Sequence, residues 1–196
     1  MMKRKFLLSV TALALCAALL AGCGGSSSST ASSAQSTAPA SSADAGSGAR
    51  TAENGTVDLD AIVSQLLETN PISNQFKIPD EDREPNFSLE YDFGLAAEDV
   101  TAYKGVCSND NGDAGLVLVI QPAAGKSEAI CEQLQTYKQD RVAFYGNYAE
   151  FGQAQSNVEN AVISGRDDLV VMVIASNEST GDISGAVDSV MDQYAQ

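Results

Sequence analysis

At 196 residues the chain carries 26 acidic side chains against 11 basic ones, a formal charge of −15, and has neither histidine nor tryptophan. The charge repels nucleic acid and anionic headgroups, so neither is an electrostatic partner. Without histidine there is no Ser-His-Asp or Cys-His nucleophile system, and almost no zinc site of ordinary ligand type.

The chain opens on Met1-Met2-Lys3-Arg4-Lys5, a short cationic head, followed by an apolar run from Phe6 to Ala21 interrupted by Ser9 and Thr11. A basic start, a short apolar stretch and small residues at its end are the parts of a secretory signal peptide. The run falls short of the roughly 20 residues that span a bilayer. It closes on Leu20-Ala21-Gly22-Cys23, the pattern of a bacterial lipobox. The expectation is a signal over residues 1–22, cut away once Cys23 has been alkylated with diacylglycerol. The lipid on Cys23 would then hold the chain to the cell membrane on its extracytoplasmic face. Cleavage would remove three of the 11 basic residues and no acidic one, leaving 8 against 26.

Residues 23–55 are compositionally separate. Gly24 to Arg50 is mostly Ser, Ala and Gly and has no large apolar side chain. Such a stretch cannot bury enough surface to fold and reads as a disordered tether. At about 5–6 Å times the square root of its length, it holds the rest of the chain on the order of 30 Å from the lipid.

Residues 56–196 read as one α+β domain. Leu59, Ile62, Val63, Leu66 and Leu67 form the stripe of an amphipathic helix, which Asn70-Pro71 ends. Ile72 to Gly94 holds Pro79, Pro85 and the acidic run from Asp80 to Glu84, and reads as extended loop with a strand at Ser88–Phe93. A two-strand-plus-helix pattern then appears twice. Val100–Val106 is strand-like, Ser108 to Asp113 is turn chemistry, and Ala114–Gln121 is a buried strand. A helix follows from Ser127, as N-cap, to Tyr145, with Ile130, Leu134, Tyr137, Arg141 and Phe144 along one face. After an aromatic-rich segment come a short strand Ala161–Ser164, a turn Gly165 to Asp168, a buried strand Leu169–Ser176 and a helix Asp182–Tyr194.

Leu116–Ile120 and Leu169–Ala175 are continuously apolar, which places both mid-sheet with both faces covered. Antiparallel hairpins joined by a helical crossover then give the strand order 1-2-4-3. The predicted architecture is a two-layer, mostly antiparallel four-stranded sheet with three helices in the order α-ββα-ββα. Of the four cysteines, Cys16 leaves with the signal and Cys23 takes the lipid. Cys107, closing an edge strand, and Cys131, in the helix above, are expected to be unbridged, largely buried thiols, since no sequence rule brings their Cα atoms within bonding range.

Motifs for chemistry are weak. Gly125-Lys126-Ser127 lacks the glycine a phosphate-binding loop needs, because Ile120 stands there. Asn109 to Asp113 would put Cys107 and Leu118 at ligand positions of a calcium loop, so it is a hairpin turn. The Asp80–Glu84 run reads as solvated loop. No cofactor motif and no metal site is expected. Acidic residues are too numerous for any catalytic pair of carboxylates to stand out.

Phe144-Tyr145-Gly146-Asn147-Tyr148-Ala149-Glu150-Phe151 is the most unusual stretch of the domain, with four of the 12 Phe and Tyr residues within eight positions. Two uses are open: a helix end and loop folded back as a core plug, or a contact surface, since Tyr and Phe offer large, stiff area. Tyr145, Tyr148 and Phe151 are the candidate partner contacts.

The lipobox, the tether, the repeated strand-strand-helix pattern, "YGNYAEF" and "VENAVISGRDDLVVMVIA" together resemble a lipoprotein family of Gram-positive-type bacteria, the domain of unknown function DUF4358. The likeness runs from Ala97 to Tyr194. The resemblance implies a small surface lipoprotein, with a glycine in the second hairpin's turn at Gly165 and a tyrosine after the helix at Tyr145 or Tyr148. It implies no activity, substrate or catalytic residue.

The functional expectation is a non-enzymatic binding module at the cell envelope, anchored to the membrane through the lipid on Cys23 and meeting an envelope protein or ligand. The alternatives are a histidine-free cell-wall hydrolase using carboxylates and a substrate-binding lipoprotein accessory to a transporter.

Overall fold

A computed structural model describes residues 57–80 and 88–195. The expected signal peptide (1–22), the tether (23–55), Cys23 and residues 81–84 of the acidic run lie outside the described residues.

Helix α1 (Leu59–Thr69) starts at Asp58, whose carboxylate accepts the Ala61 N–H at 3.0 Å, and ends at Asn70. Leu59, Ile62, Val63 and Leu66 are buried along the stripe that their spacing predicts. The chain then forms a strand where loop is expected, β1 (Gln75–Ile78). Four residues of mixed polarity carry too little periodicity to signal a strand. Pairing makes it one, with Gln75 against Ser108 and Ile78 against Gly105.

The strand expected at Ser88–Phe93 is instead helix α2 (Leu89–Phe93). The alternation Leu89, Tyr91, Phe93 mimics a strand, but Leu89 and Phe93 also sit one helical turn apart. They are the two that go inward, and Tyr91 is left exposed. Ser88 decides between the periods: its hydroxyl accepts from Tyr91 N–H, and its own N–H donates to the Asp92 carboxylate.

Strands β2 (Val100–Ser108) and β3 (Leu116–Pro122) form a hairpin, followed by helix α3 (Ser127–Gly146). Lys126, not Ser127, is the cap residue, without a side-chain cap bond. Its ammonium reaches Asp99 at 2.7 Å instead. Helix α4 (Gly152–Glu159) fills the stretch between the aromatic segment and the expected strand at Ala161, where the sequence predicts no element. Strand β4 (Val162–Arg166) runs through the expected turn residues Gly165 and Arg166, leaving only Asp167-Asp168 between it and β5 (Leu169–Ile174). Helix α5 (Ile183–Tyr194) is capped by the Asp182 carboxylate on Gly185 N–H and buries Val187, Val190 and Met191, as its spacing predicts.

All strand pairs are antiparallel, in the order β1-β2-β3-β5-β4. The predicted 1-2-4-3 order therefore stands, with β1 added outside β2. The class is α+β, but with five strands and five α-helices among the described residues. There are also three layers rather than two. Leu116, Leu118, Ile120, Val170, Met172 and Ile174 face the helices α2, α3 and α4, while Val117, Val119, Leu169, Val171 and Val173 face α1 and α5. Two strands apolar on both faces need a cover on each, and the N- and C-terminal helices form the second one.

Cys107 and Cys131 are not joined by a disulfide. Both are half-buried rather than largely buried, packed against the α3 side of the core. Cys107 is interior to the sheet, because β1 pairs Phe76 with it. Burial pushes the Cys131 thiol above its ordinary value.

Candidate functional site

The end of the sheet that carries the β2–β3 turn gathers four connections: Asn70–Asn74 after α1, the hairpin loop 109–115, the α3–α4 corner, and the loop 175–182 after β5. Polar side chains tie them together. Asn70 donates to Ile174 C=O at 3.0 Å and accepts from Ser176 N–H at 2.8 Å. The Ser176 hydroxyl donates to Pro71 C=O. The Asp113 carboxylate accepts from Gly115 N–H at 3.1 Å and Asn177 N–H at 3.0 Å. Asn157 on α4 donates to Asn177, which donates in turn to Gly112 C=O. The buried polar side chains Asn70, Ser108, Asp113, Asn157 and Ser176 all belong to this end, and each finds hydrogen-bond partners among the described residues. The result is a stiff base made of loops.

The aromatic stretch sits on that base. α3 ends at Gly146, a short 3-10 turn (Ala149–Phe151) follows, and α4 doubles back alongside. This corner brings four rings into a closed circuit: Phe144 to Tyr145 at 5.2 Å between centroids, Tyr145 to Phe151 at 5.8 Å, Phe151 to Tyr148 at 5.4 Å, and Tyr148 to Phe144 at 5.8 Å. Such edge-on and tilted pairs lock one another's rotamers. Gly112, at φ 88°, lies under Phe151, and a Cβ there would stand 3.0 Å from the ring. Both the turn and the close approach require glycine at that position.

The three candidate residues divide. Tyr145 is buried, Phe151 half-buried, and Tyr148 is 46% exposed. Phe144, expected on the inner face of α3, is instead turned out and 45% exposed. Tyr145 takes the inner place because its hydroxyl finds partners there, donating to Asp113 C=O at 3.4 Å and accepting from Arg141 Nη2 at 2.9 Å. Burial pushes its phenol above the ordinary tyrosine value, with the Arg141 charge opposing. The Arg141 guanidinium lies over two rings, 4.9 Å from the Phe144 centroid and 4.8 Å from that of Tyr145. Sequence spacing could not separate Phe144 from Tyr145, since the stripe through Ile130 and Leu134 passes between them after four turns.

At the same end, Glu178 accepts from both the hydroxyl and the N–H of Ser73, which lowers its pKa from the ordinary 4.5. A depressed carboxylate stabilises the fold above its ordinary pKa, and that contribution fades as pH falls through the folded value. Ser73→Ala removes the hydroxyl, the larger cause, and keeps the N–H. The Glu178 midpoint in an NMR titration of side-chain carboxyl carbons is expected to move up toward 4.5; an unmoved midpoint would sink this assignment.

Elsewhere the surface offers open hollows. One of about 530 Å³ is lined by Ser88, Leu89, Glu90, Val100 and Tyr103, and another of about 510 Å³ by Gln121, Pro122, Gly125, Asp167 and Asp168. Asp167 and Asp168 are the β4–β5 turn itself. Among the described residues no group of three or more Asp, Glu or Cys side chains could hold a metal ion, and no helix is long and apolar enough to cross a membrane.

Residues 79–175 match the model of one protein family, described as "Domain of unknown function (DUF4358)". No curated protein and no solved structure matches the chain. The matched stretch takes in α2 through β5, including the aromatic corner and all of β2, β3, β4 and β5, and leaves α1, β1 and α5 outside. The glycine singled out in the second hairpin lies within β4 rather than in its turn. A Cβ on Gly165 would stand 2.5 Å from Cys131 Sγ and 3.0 Å from Ser127 Oγ, so the close approach of α3 to β4 accounts for it.

Proposed function

With residues 79–175 belonging to the DUF4358 family, we propose that the chain is a non-enzymatic binding module. In this reading it is held at the extracytoplasmic face of the cell membrane by a lipid on Cys23 and meets an envelope partner through its aromatic corner. The anchor rests on the cationic head, the apolar run and the Leu20-Ala21-Gly22-Cys23 pattern. The contact surface rests on one observation: Phe144 and Tyr148, large and exposed, stand on rings and loops that hold them in place. Rigid exposed aromatics lose little side-chain freedom when a partner covers them. A tether raises the effective concentration of such a surface toward anything else held near the membrane.

Crosslinking on intact cells, followed by capture of the tagged full-length protein, tests the surface. Tyr148→Ala is expected to lower capture of the partner several-fold while leaving the thermal midpoint nearly unchanged, as for an exposed hot-spot aromatic. Equal capture by mutant and wild type ends this reading. For the anchor, Cys23→Ala is expected to leave a precursor that keeps residues 1–22 and takes up no labelled fatty acid; equal acyl labelling overturns it.

A further inference from the structure

We infer that the partner segment seated on the aromatic corner is cationic, an exposed stretch of an envelope protein bearing at least two lysine or arginine side chains. This rests on the reading of the corner as a contact surface and adds the chemistry of what covers it. The first observation is internal. Arg141 already shows how a guanidinium packs on these rings, at 4.9 Å over Phe144 and 4.8 Å over Tyr145. Tyr148 carries no cation among the described residues, and its ring is 46% exposed.

The second observation is charge. Asp140 lies four residues before Phe144 on α3, so the two are neighbours on the helix surface. Glu150 lies in the 3-10 turn between Tyr148 and Phe151. Both carboxylates are exposed, and neither is in an ion pair among the described residues. The local cation, Arg141, is engaged with the rings and with the Tyr145 hydroxyl. Lys138, one turn back, donates to Ala161 C=O at 3.0 Å. Arg141 and Lys138 keep their positive charges but are half-buried, so the exposed charges beside the rings are the Asp140 and Glu150 carboxylates. A lysine or arginine meets both features at once: its methylene stem covers a ring while its head reaches a carboxylate. An acidic protein, a nucleic acid or an anionic lipid surface is repelled. A second copy of this chain, at a formal −15, would bring further carboxylates to the same place.

The test uses the full-length protein and two probes, fluorescently labelled hexa-arginine amide and hexa-serine amide, with binding read by anisotropy at physiological salt. Hexa-arginine is expected to bind and hexa-serine not to. Phe144→Ala with Tyr148→Ala is expected to weaken hexa-arginine binding roughly fivefold or more, and Asp140→Asn with Glu150→Gln to weaken it by a comparable factor. The control pair Glu68→Gln with Asp188→Asn changes the charge equally on α1 and α5, both exposed, and is expected to leave affinity within about twofold. Equal weakening by the control pair and the corner carboxylate pair, or no effect of removing the two rings, means diffuse attraction to an acidic protein and overturns the inference. No binding of hexa-arginine overturns it as well. The crosslinked segment of a partner captured in a Tyr148-dependent way separates the two claims. If that segment is neutral or acidic, the cationic assignment fails while the contact surface stands; if capture does not depend on Tyr148, the surface itself fails.

Discussion

Tyr145→Ala is expected to lower the unfolding free energy by about 3–5 kcal/mol, while Tyr148→Ala, three residues on, is expected to change it by less than about 1 kcal/mol. Tyr145 is buried against Phe144 and Phe151, and its hydroxyl joins Arg141 to the Asp113 carbonyl. Removing the ring opens a cavity between α3, α4 and the hairpin loop and takes the packing partner from both neighbouring rings. Tyr148 stands outside that volume. For a domain of this size the larger loss corresponds to a fall in the thermal midpoint of roughly 10 °C or more. Tyr145→Phe keeps the ring and removes only the hydroxyl, so about 1 kcal/mol is expected. Denaturant melts of the three variants decide the matter. If Tyr145→Ala is no worse than Tyr148→Ala, the corner is not built on Tyr145.

The other large effect is expected at Asn70. Its side chain is fully buried, donates to Ile174 C=O and accepts from Ser176 N–H. Asn70→Ala leaves a buried carbonyl and a buried N–H without partners, for an expected loss of about 2–4 kcal/mol. Asn70→Asp keeps an acceptor for Ser176 N–H but buries a charge that faces the Ile174 carbonyl. Burial raises the pKa of such a carboxyl above its unfolded value, so the variant is weakest well above that folded pKa and regains stability as pH falls through it. The neutral acid then supplies a donor to the carbonyl. An Asn70→Asp variant whose stability relative to wild type does not rise on acidification would show that the side chain does not make these two bonds. Because Ser176 leads into Asn177, which holds Asp113, damage at Asn70 is also expected to loosen the base under the rings.

How much of the fold was legible in sequence depends on where each signal resides. Leu59 to Leu67 and Ile183 to Tyr194 carry complete helical stripes and local caps at Asp58 and Asp182, so both helices are where their spacing predicts. The runs Leu116–Ile120 and Leu169–Ile174 are apolar at every position, as a β-branched-rich strand covered on both faces would be, and they do sit side by side in the middle of the sheet. The family was legible as well, through "YGNYAEF" and the stretch ending at Ala175, and the match over 79–175 contains both. The two added helices and the added strand were not. α2 and α4 are short, and α2 depends on Ser88 choosing a helical turn over an alternation that suits either period. β1 has four residues and exists through its partner.

The candidate surface shows the same division. By itself the sequence determined that a dense aromatic segment follows α3, because composition is local. It could not say which rings go in. That choice lies with groups distant along the chain: the Asp113 carbonyl that receives the Tyr145 hydroxyl, Gly112 under Phe151, and Asn157 holding the α4 side of the corner through Asn177. Likewise, residue pattern placed four of the five described strands, and antiparallel hairpins joined by a helical crossover gave those four their order, while β1 was missed. Only the tertiary structure decided what covers them, placing α1 and α5 on one face and α2, α3 and α4 on the other. Burial requires an apolar partner but does not specify which element supplies it, and that is settled by contacts between residues far apart in the chain.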